Sequence, residues 1–147
     1  MSELAFLNCE RYRFEQICVN NSVVEENYRY FFPWLKLFKK HIRENFLLVI
    51  IPDEFQVNDS LYLKITEHMD LSKIERYKPQ KAIAAFCKQE QIEYLDLLPM
   101  LREGEKTGHC YHPRDTHWNQ KGNYIAGEKI AQVLIERIKK IKSWRAT

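Results

Sequence analysis

Two short runs decide what this chain can fold into. Phe46-Leu-Leu-Val-Ile-Ile51 is continuously apolar, carries β-branched residues at its end and is stopped by Pro52. A strand wetted on one side alternates apolar with polar residues. An uninterrupted run reads instead as a strand covered on both faces, as in a parallel sheet. Ile92-Glu-Tyr-Leu-Asp-Leu97 reads as the second strand. Parallel strands need a long crossover, and the segments before, between and after these runs have helical period. The order helix, strand, helix, strand, helix predicts an α/β fold with helices on the faces of a parallel sheet. Right-handed crossovers put both carboxyl ends on one edge, where open α/β sheets bind ligands.

Punctuation and period fill in the rest. Residues 1 to about 30 carry the weakest pattern, with Leu4-Ala5-Phe6-Leu7 read as a short strand and Asn20-Asn21-Ser22 as a break. Ser22 with Glu25 forms a candidate capping box. Pro33 either interrupts that helix or opens a new one, whose apolar face carries Trp34, Leu35, Leu37, Phe38 and Ile42 and which ends near Asn45. A loop is expected over Asp53 to Asp59. Ser60 should cap a helix to about Met69, and Pro79 should open one with Ala82, Ile83, Ala85, Phe86 and Cys87. A helical turn from Pro99 and a long loop over Gly104 to Trp118 follow. The final helix spans about Gln120 to Ile141, capped by Asn119, with Gly127, Ile130, Leu134, Ile138 and Ile141 on its core stripe.

At 147 residues the chain is one domain at most. Two strands are too few for a free-standing parallel sheet, because both edges stay open. Residues 1–147 therefore read as a single, incomplete domain. It is completed by self-association or by a missing N-terminal half. The net charge of +3 is spread among acids and does not make the footprint of a nucleic-acid binder. The basic tail, Arg137 to Arg145, complements the dipole of the last helix. Cys9, Cys18, Cys87 and Cys110 lack close pairing and suggest free thiols in a reducing compartment. No apolar run approaches the roughly 18 residues of a membrane span, and no signal-peptide pattern opens the chain. The expectation is a soluble protein of open compartment, with no cofactor and no metal.

The chemistry concentrates in His112-Pro-Arg-Asp-Thr-His-Trp-Asn119. Asp115 stands two residues before His117, in a loop leading to a helix. A carboxylate can accept from one ring nitrogen of an imidazole, fix its tautomer and stabilise the imidazolium formed when the other nitrogen takes a proton. That is the acid–base half of a hydrolytic triad. No convincing nucleophile stands elsewhere in the chain. Asn58-Asp59-Ser60-Leu61 imitates a nucleophile block, but six residues separate it from the strand that should precede it, and Ser60 reads better as a helix cap.

Residues 46–135 resemble the C-terminal half of the SGNH/GDSL hydrolase superfamily. The resemblance runs through Phe46 to Val57, Phe86-Cys87 and Ile92 to Pro99, and ends in Asp115-Thr-His-Trp-Asn-Gln-Lys-Gly122. It implies a flavodoxin-like three-layer α/β/α sandwich, present here in part. It also implies hydrolysis or transfer of ester-linked acyl groups, often acetyl groups on sugars, with a small-molecule or carbohydrate ester as substrate. It assigns Asp115 as the orienting acid and His117 as the general base. The family's Gly-Asp-Ser nucleophile block and Gly-x-Asn-Asp block have no counterpart here. The acid lies two residues before the His, as in the branch that resembles the acetylating enzymes of exopolysaccharide synthesis.

Two other readings of these residues stay open. His109, Cys110, His112, Asp115 and His117 put five zinc-type ligands in one loop, though in no common structural spacing. Alternatively, the chain is a non-catalytic α/β interaction module. Its aromatic set of Tyr28, Tyr30, Phe31, Phe32, Trp34 and Phe38 then forms core or a covered interface.

Overall fold

The computed structural model describes residues 1–42 and 46–144, with side chains through residue 140. The expected helix end near Asn45, the Ile141 side chain and Arg145 lie outside the described residues. The elements are α1 (Glu3–Cys18), α2 (Ser22–Ile42), β1 (Leu48–Ile50), α3 (Glu54–Val57) and α4 (Asp59–Thr66). A 3-10 turn at Leu71–Lys73 precedes α5 (Lys78–Gln89), β2 (Tyr94–Asp96), α6 (Leu98–Glu105) and α7 (Gln120–Trp144). The fold is mixed and helix-rich, around a small two-stranded sheet.

β1 and β2 pair in parallel, Leu48 with Tyr94, Val49 with Leu95 and Ile50 with Asp96. Successive strand residues serve opposite faces, as the pleat requires. Leu48 and Tyr94 pack with Leu35, Ile83, Phe86, Cys87 and Ile92, from α2, α5 and the turn after α5. Val49 and Leu95 pack on the other side with Leu97, Leu101, Tyr111 and Ala126. Both carboxyl ends therefore meet one edge, and the chain leaves it through Ile51-Pro52-Asp53 and through Leu97.

The first thirty residues correct the sequence reading. Leu4 to Leu7 is helical, not a strand. The Ser2 hydroxyl accepts from the Ala5 amide at 3.3 Å and starts α1. The buried stripe is Phe6, Glu10, Phe14 and Cys18, one residue per turn. A charged Glu10 in that stripe hides its period. The ring of Phe14 meets that of Phe55 edge-on, with centroids 5.3 Å apart.

Other boundaries move for local reasons. Asn21, not Ser22, caps α2, accepting from the Val24 amide at 2.9 Å. The helix passes through Pro33 unbroken, with Pro33 exposed so that water can reach the carbonyl it leaves unpaired. The expected loop at 53–59 contains α3, entered through a bond from the Asp53 amide to Gln56 Oε1 at 3.0 Å. Gln56 and Gln80 then exchange two amide bonds, 2.7 and 2.9 Å, and pin α3 to α5. Asn58 caps α4, accepting from the Leu61 amide at 3.1 Å, so Ser60 lies inside the helix.

α7 starts where expected. Asn119 Oδ1 accepts from the Gly122 amide at 3.0 Å. Its buried face differs from the expected stripe: Gly122 and Ala126 are buried, Ile125, Ile130 and Val133 pack beside them, and Leu134 and Ile138 are exposed. Gly122 sets that rotation. A Cβ there would sit closer than 3.0 Å to the Cys110 carbonyl oxygen, whereas one at Gly127 would meet nothing. Among the described residues no helix is long and apolar enough to cross a membrane.

Candidate active site

The segment from Lys106 to Asn119 folds back on itself. Tyr111 and Trp118 form an isolated antiparallel bridge, the His112 amide donates to the His117 carbonyl at 3.0 Å, and the Asp115 amide donates to the His112 carbonyl at 3.1 Å. Arg114 takes a left-handed conformation at the tip, with φ of 54°. The Asn119 side-chain amide ties the base together, donating to the carbonyls of His109 at 2.7 Å and Tyr111 at 3.2 Å. The Tyr111 hydroxyl reaches across to the Pro52 carbonyl at 2.8 Å, fixing the loop to the exit of β1.

Asp115 and His117 meet on this loop. Asp115 Oδ1 and His117 Nδ1 are 2.6 Å apart, and the same oxygen accepts from the His117 backbone amide at 3.1 Å. Both bonds favour the ionised carboxylate, so Asp115 is held below the usual carboxylate range, first by the imidazole and then by the amide. His117 Nε2 has no hydrogen-bond partner among the described residues. The pair is open to solvent, with side-chain exposures of 83% for His117 and 50% for Asp115.

His117 lines a shallow cleft of about 580 Å³ with Arg13, Ile51, Pro52, Asp53, Tyr111 and Trp118. The cleft sits at the carboxyl end of β1, the edge expected for a ligand. Arg13 pairs with Asp53 in its wall and with Glu10 at 3.1 Å behind it. Burial pushes the carboxyls of Asp53 and Glu10 up, with Arg13 opposing. Glu54 is buried beside Asp53 in sequence, at the start of α3. Burial pushes its carboxyl up to about 7, and its Oε2 is buried without a partner.

The other candidates are not brought to His117. Ser60 is exposed on α4 and does not line the cleft. The Cys110 thiol is buried 3.7 Å from the Leu101 carbonyl, and burial raises it to about 11, which keeps it protonated. The zinc-type residues diverge: His109 Nδ1 meets Glu105 at 2.7 Å, Cys110 points inward, and His117 meets Asp115. Among the described residues no three His, Cys, Asp or Glu side chains converge on a metal position. His41 and His68 are exposed and do not line the cleft. Sequence reasoning missed Arg13 and Asp53 as cleft residues. Asp53 had a signal, standing directly after the strand-stopping Pro52. Arg13 had none, because only the tertiary fold carries α1 to that edge.

A family model described as "SGNH hydrolase-like domain, acetyltransferase AlgX" matches residues 37–146. That span includes both strands, the loop and all of α7. Comparison with curated proteins and with solved structures returns no match.

Proposed function

Because this chain belongs to the SGNH hydrolase-like family of the acetyltransferase AlgX type, we propose that Asp115 and His117 are the acid–base half of a Ser-His-Asp triad. The triad acts in hydrolysis or transfer of an acyl ester, with a small-molecule or carbohydrate ester as substrate. The observation that carries this reading is the 2.6 Å contact of Asp115 with His117 Nδ1, beside a cleft at the sheet's carboxyl edge. The serine comes from polypeptide outside these residues, on strands that extend the two-stranded sheet toward a full three-layer sandwich.

The roles follow from the two ring nitrogens. Nδ1 carries the proton and donates a hydrogen bond to the Asp115 carboxylate, which leaves the Nε2 lone pair for the serine hydroxyl. As the serine oxygen attacks the acyl carbon, its proton moves to Nε2, and Asp115 stabilises the imidazolium. The same proton then goes to the departing alkoxide. Water or an acceptor hydroxyl reverses the sequence, giving acid or new ester.

Two measurements test this. The chain alone should not hydrolyse an activated acetyl ester above background, since base and acid without nucleophile and oxyanion donors lose most of the catalysis. Turnover abolished both by His117→Ala and by Ser60→Ala would overturn the assignment of the nucleophile. Nitrogen-15 NMR at neutral pH should show the His117 proton on Nδ1, and Asp115→Ala should shift it toward Nε2. A His117 tautomer indifferent to Asp115 would remove the pair from the mechanism.

A further inference from the structure

The cleft beside His117 offers apolar surface and no uncompensated cation. Ile51, 63% exposed although it directly follows β1, lines it with Pro52 and the half-buried Trp118. Apart from His117, Arg13 is the only basic side chain that lines it among the described residues. Its guanidinium is already held by Asp53 Oδ1 and, at 3.1 Å, by Glu10 Oε1. Burial pushes both carboxyls up, with Arg13 opposing. If Glu10 keeps its proton, Asp53 alone still balances Arg13. If both ionise, this wall carries net negative charge. Glu54, next in the chain and buried, can only add to it.

A second carboxylate stands on the other side of the imidazole. Asp115 lies 2.6 Å from His117 Nδ1, half exposed and held ionised. While His117 is the neutral base, nothing in the cleft balances that charge. The remaining basic groups of the loop are directed elsewhere. Lys64 first and then Arg114 hold the Glu3 carboxyl of α1 below its ordinary value, so the Arg114 charge acts toward α1. His112 lines a different hollow, with Gln120 and Tyr124. Lys121 is bonded to the carbonyls of Gly104 and Gly108 and to the Thr107 hydroxyl. A carboxylate approaching Nε2 therefore meets like charge from Asp53 and Asp115, in a partly desolvated wall where screening is incomplete. An uncharged ester meets no such repulsion and covers the apolar surface of Ile51 and Trp118.

We propose that Asp53 and Asp115 make this cleft selective for uncharged acyl esters and turn carboxylate-bearing ones away, which rests on the reading of His117 as the general base. Two bromoacetyl reagents test the charge preference at the reacting nitrogen, where Nε2 attacks the methylene carbon and bromide leaves. Peptide mass spectrometry of the alkylated chain gives the rate of bromoacetamide relative to bromoacetate at His117. Divided by the same ratio for N-acetylhistidine methylamide, it should be about threefold at neutral pH and low salt. Asp53→Asn should bring it toward one. If that variant loses its helical far-ultraviolet dichroism spectrum, Asp115→Asn carries the same test, because its carboxylate is exposed. A normalised ratio of one or less in the native chain would overturn the proposal. So would a ratio unmoved by Asp53→Asn or, where that variant does not fold, by Asp115→Asn. The ratio needs no serine, and the tautomer of His117 cancels in it, so its failure is distinct from a failure of the triad.

Discussion

The hydroxyl of Tyr111 donates to the backbone carbonyl of Pro52 at 2.8 Å, joining the His117 loop to the end of β1. The bond is buried, so water does not replace it at no cost. Burial also pushes the Tyr111 phenol up, which keeps it a donor across the working range of pH.

Tyr111→Phe should therefore cost about 1–2 kcal/mol, since it leaves the Pro52 carbonyl buried without its donor. Chemical denaturation measures the loss. Amide exchange should quicken selectively at His112 and Asp115, whose amides bond within the loop. Uniform quickening across all helices would show that the bond serves only global stability.

Gly122→Ala should destabilise the protein by about 2 kcal/mol or more. The added methyl would press on the Cys110 carbonyl oxygen and on Trp118, and backbone yields less readily than the end of a flexible side chain. Gly127→Ala on the same helix meets open space and should be neutral or stabilising. Thermal unfolding of the two variants side by side gives the answer, and equal melting points would contradict the packing described.

Glu54 should make stability fall as pH rises. Its folded carboxyl is raised to about 7 by burial, against an unfolded value of 4.5. The folded state thus holds the proton more tightly. That stability is fully present below pH 4.5 and is lost as pH rises through 7. Glu54→Gln should flatten this dependence, with a gain on the order of 1 kcal/mol above pH 8 after solvent screening. Denaturation at pH 5 and pH 8 checks the sign. A variant that loses more stability at pH 8 than at pH 5 would refute it.

What the sequence disclosed depended on how locally each feature is encoded. The strands announced themselves through apolar runs and Pro52. The final helix did so through Asn119, and the Asp115–His117 contact followed from two residues of spacing within one turn. α1 was misread because Glu10 interrupts its stripe, and only the Arg13 guanidinium makes a carboxylate tolerable there. The face of α7 was misjudged because period identifies a stripe but not which neighbour it meets. The close approach at Gly122 decides that. Arg13 entered the cleft through a contact between α1 and the turn after β1, which no local pattern encodes.

Leu48 pairs with Tyr94 only across the whole of α3, α4 and α5. The two strands share no local route to each other. Closing that long loop costs chain entropy before a single ladder bond repays it. The helical segment between them is knit by contacts nearer in sequence, such as the Gln56–Gln80 amide exchange. Short sequence separation therefore predicts that this segment assembles before the sheet pairs, and that the cleft beside His117, which rests on the end of β1, forms with the sheet.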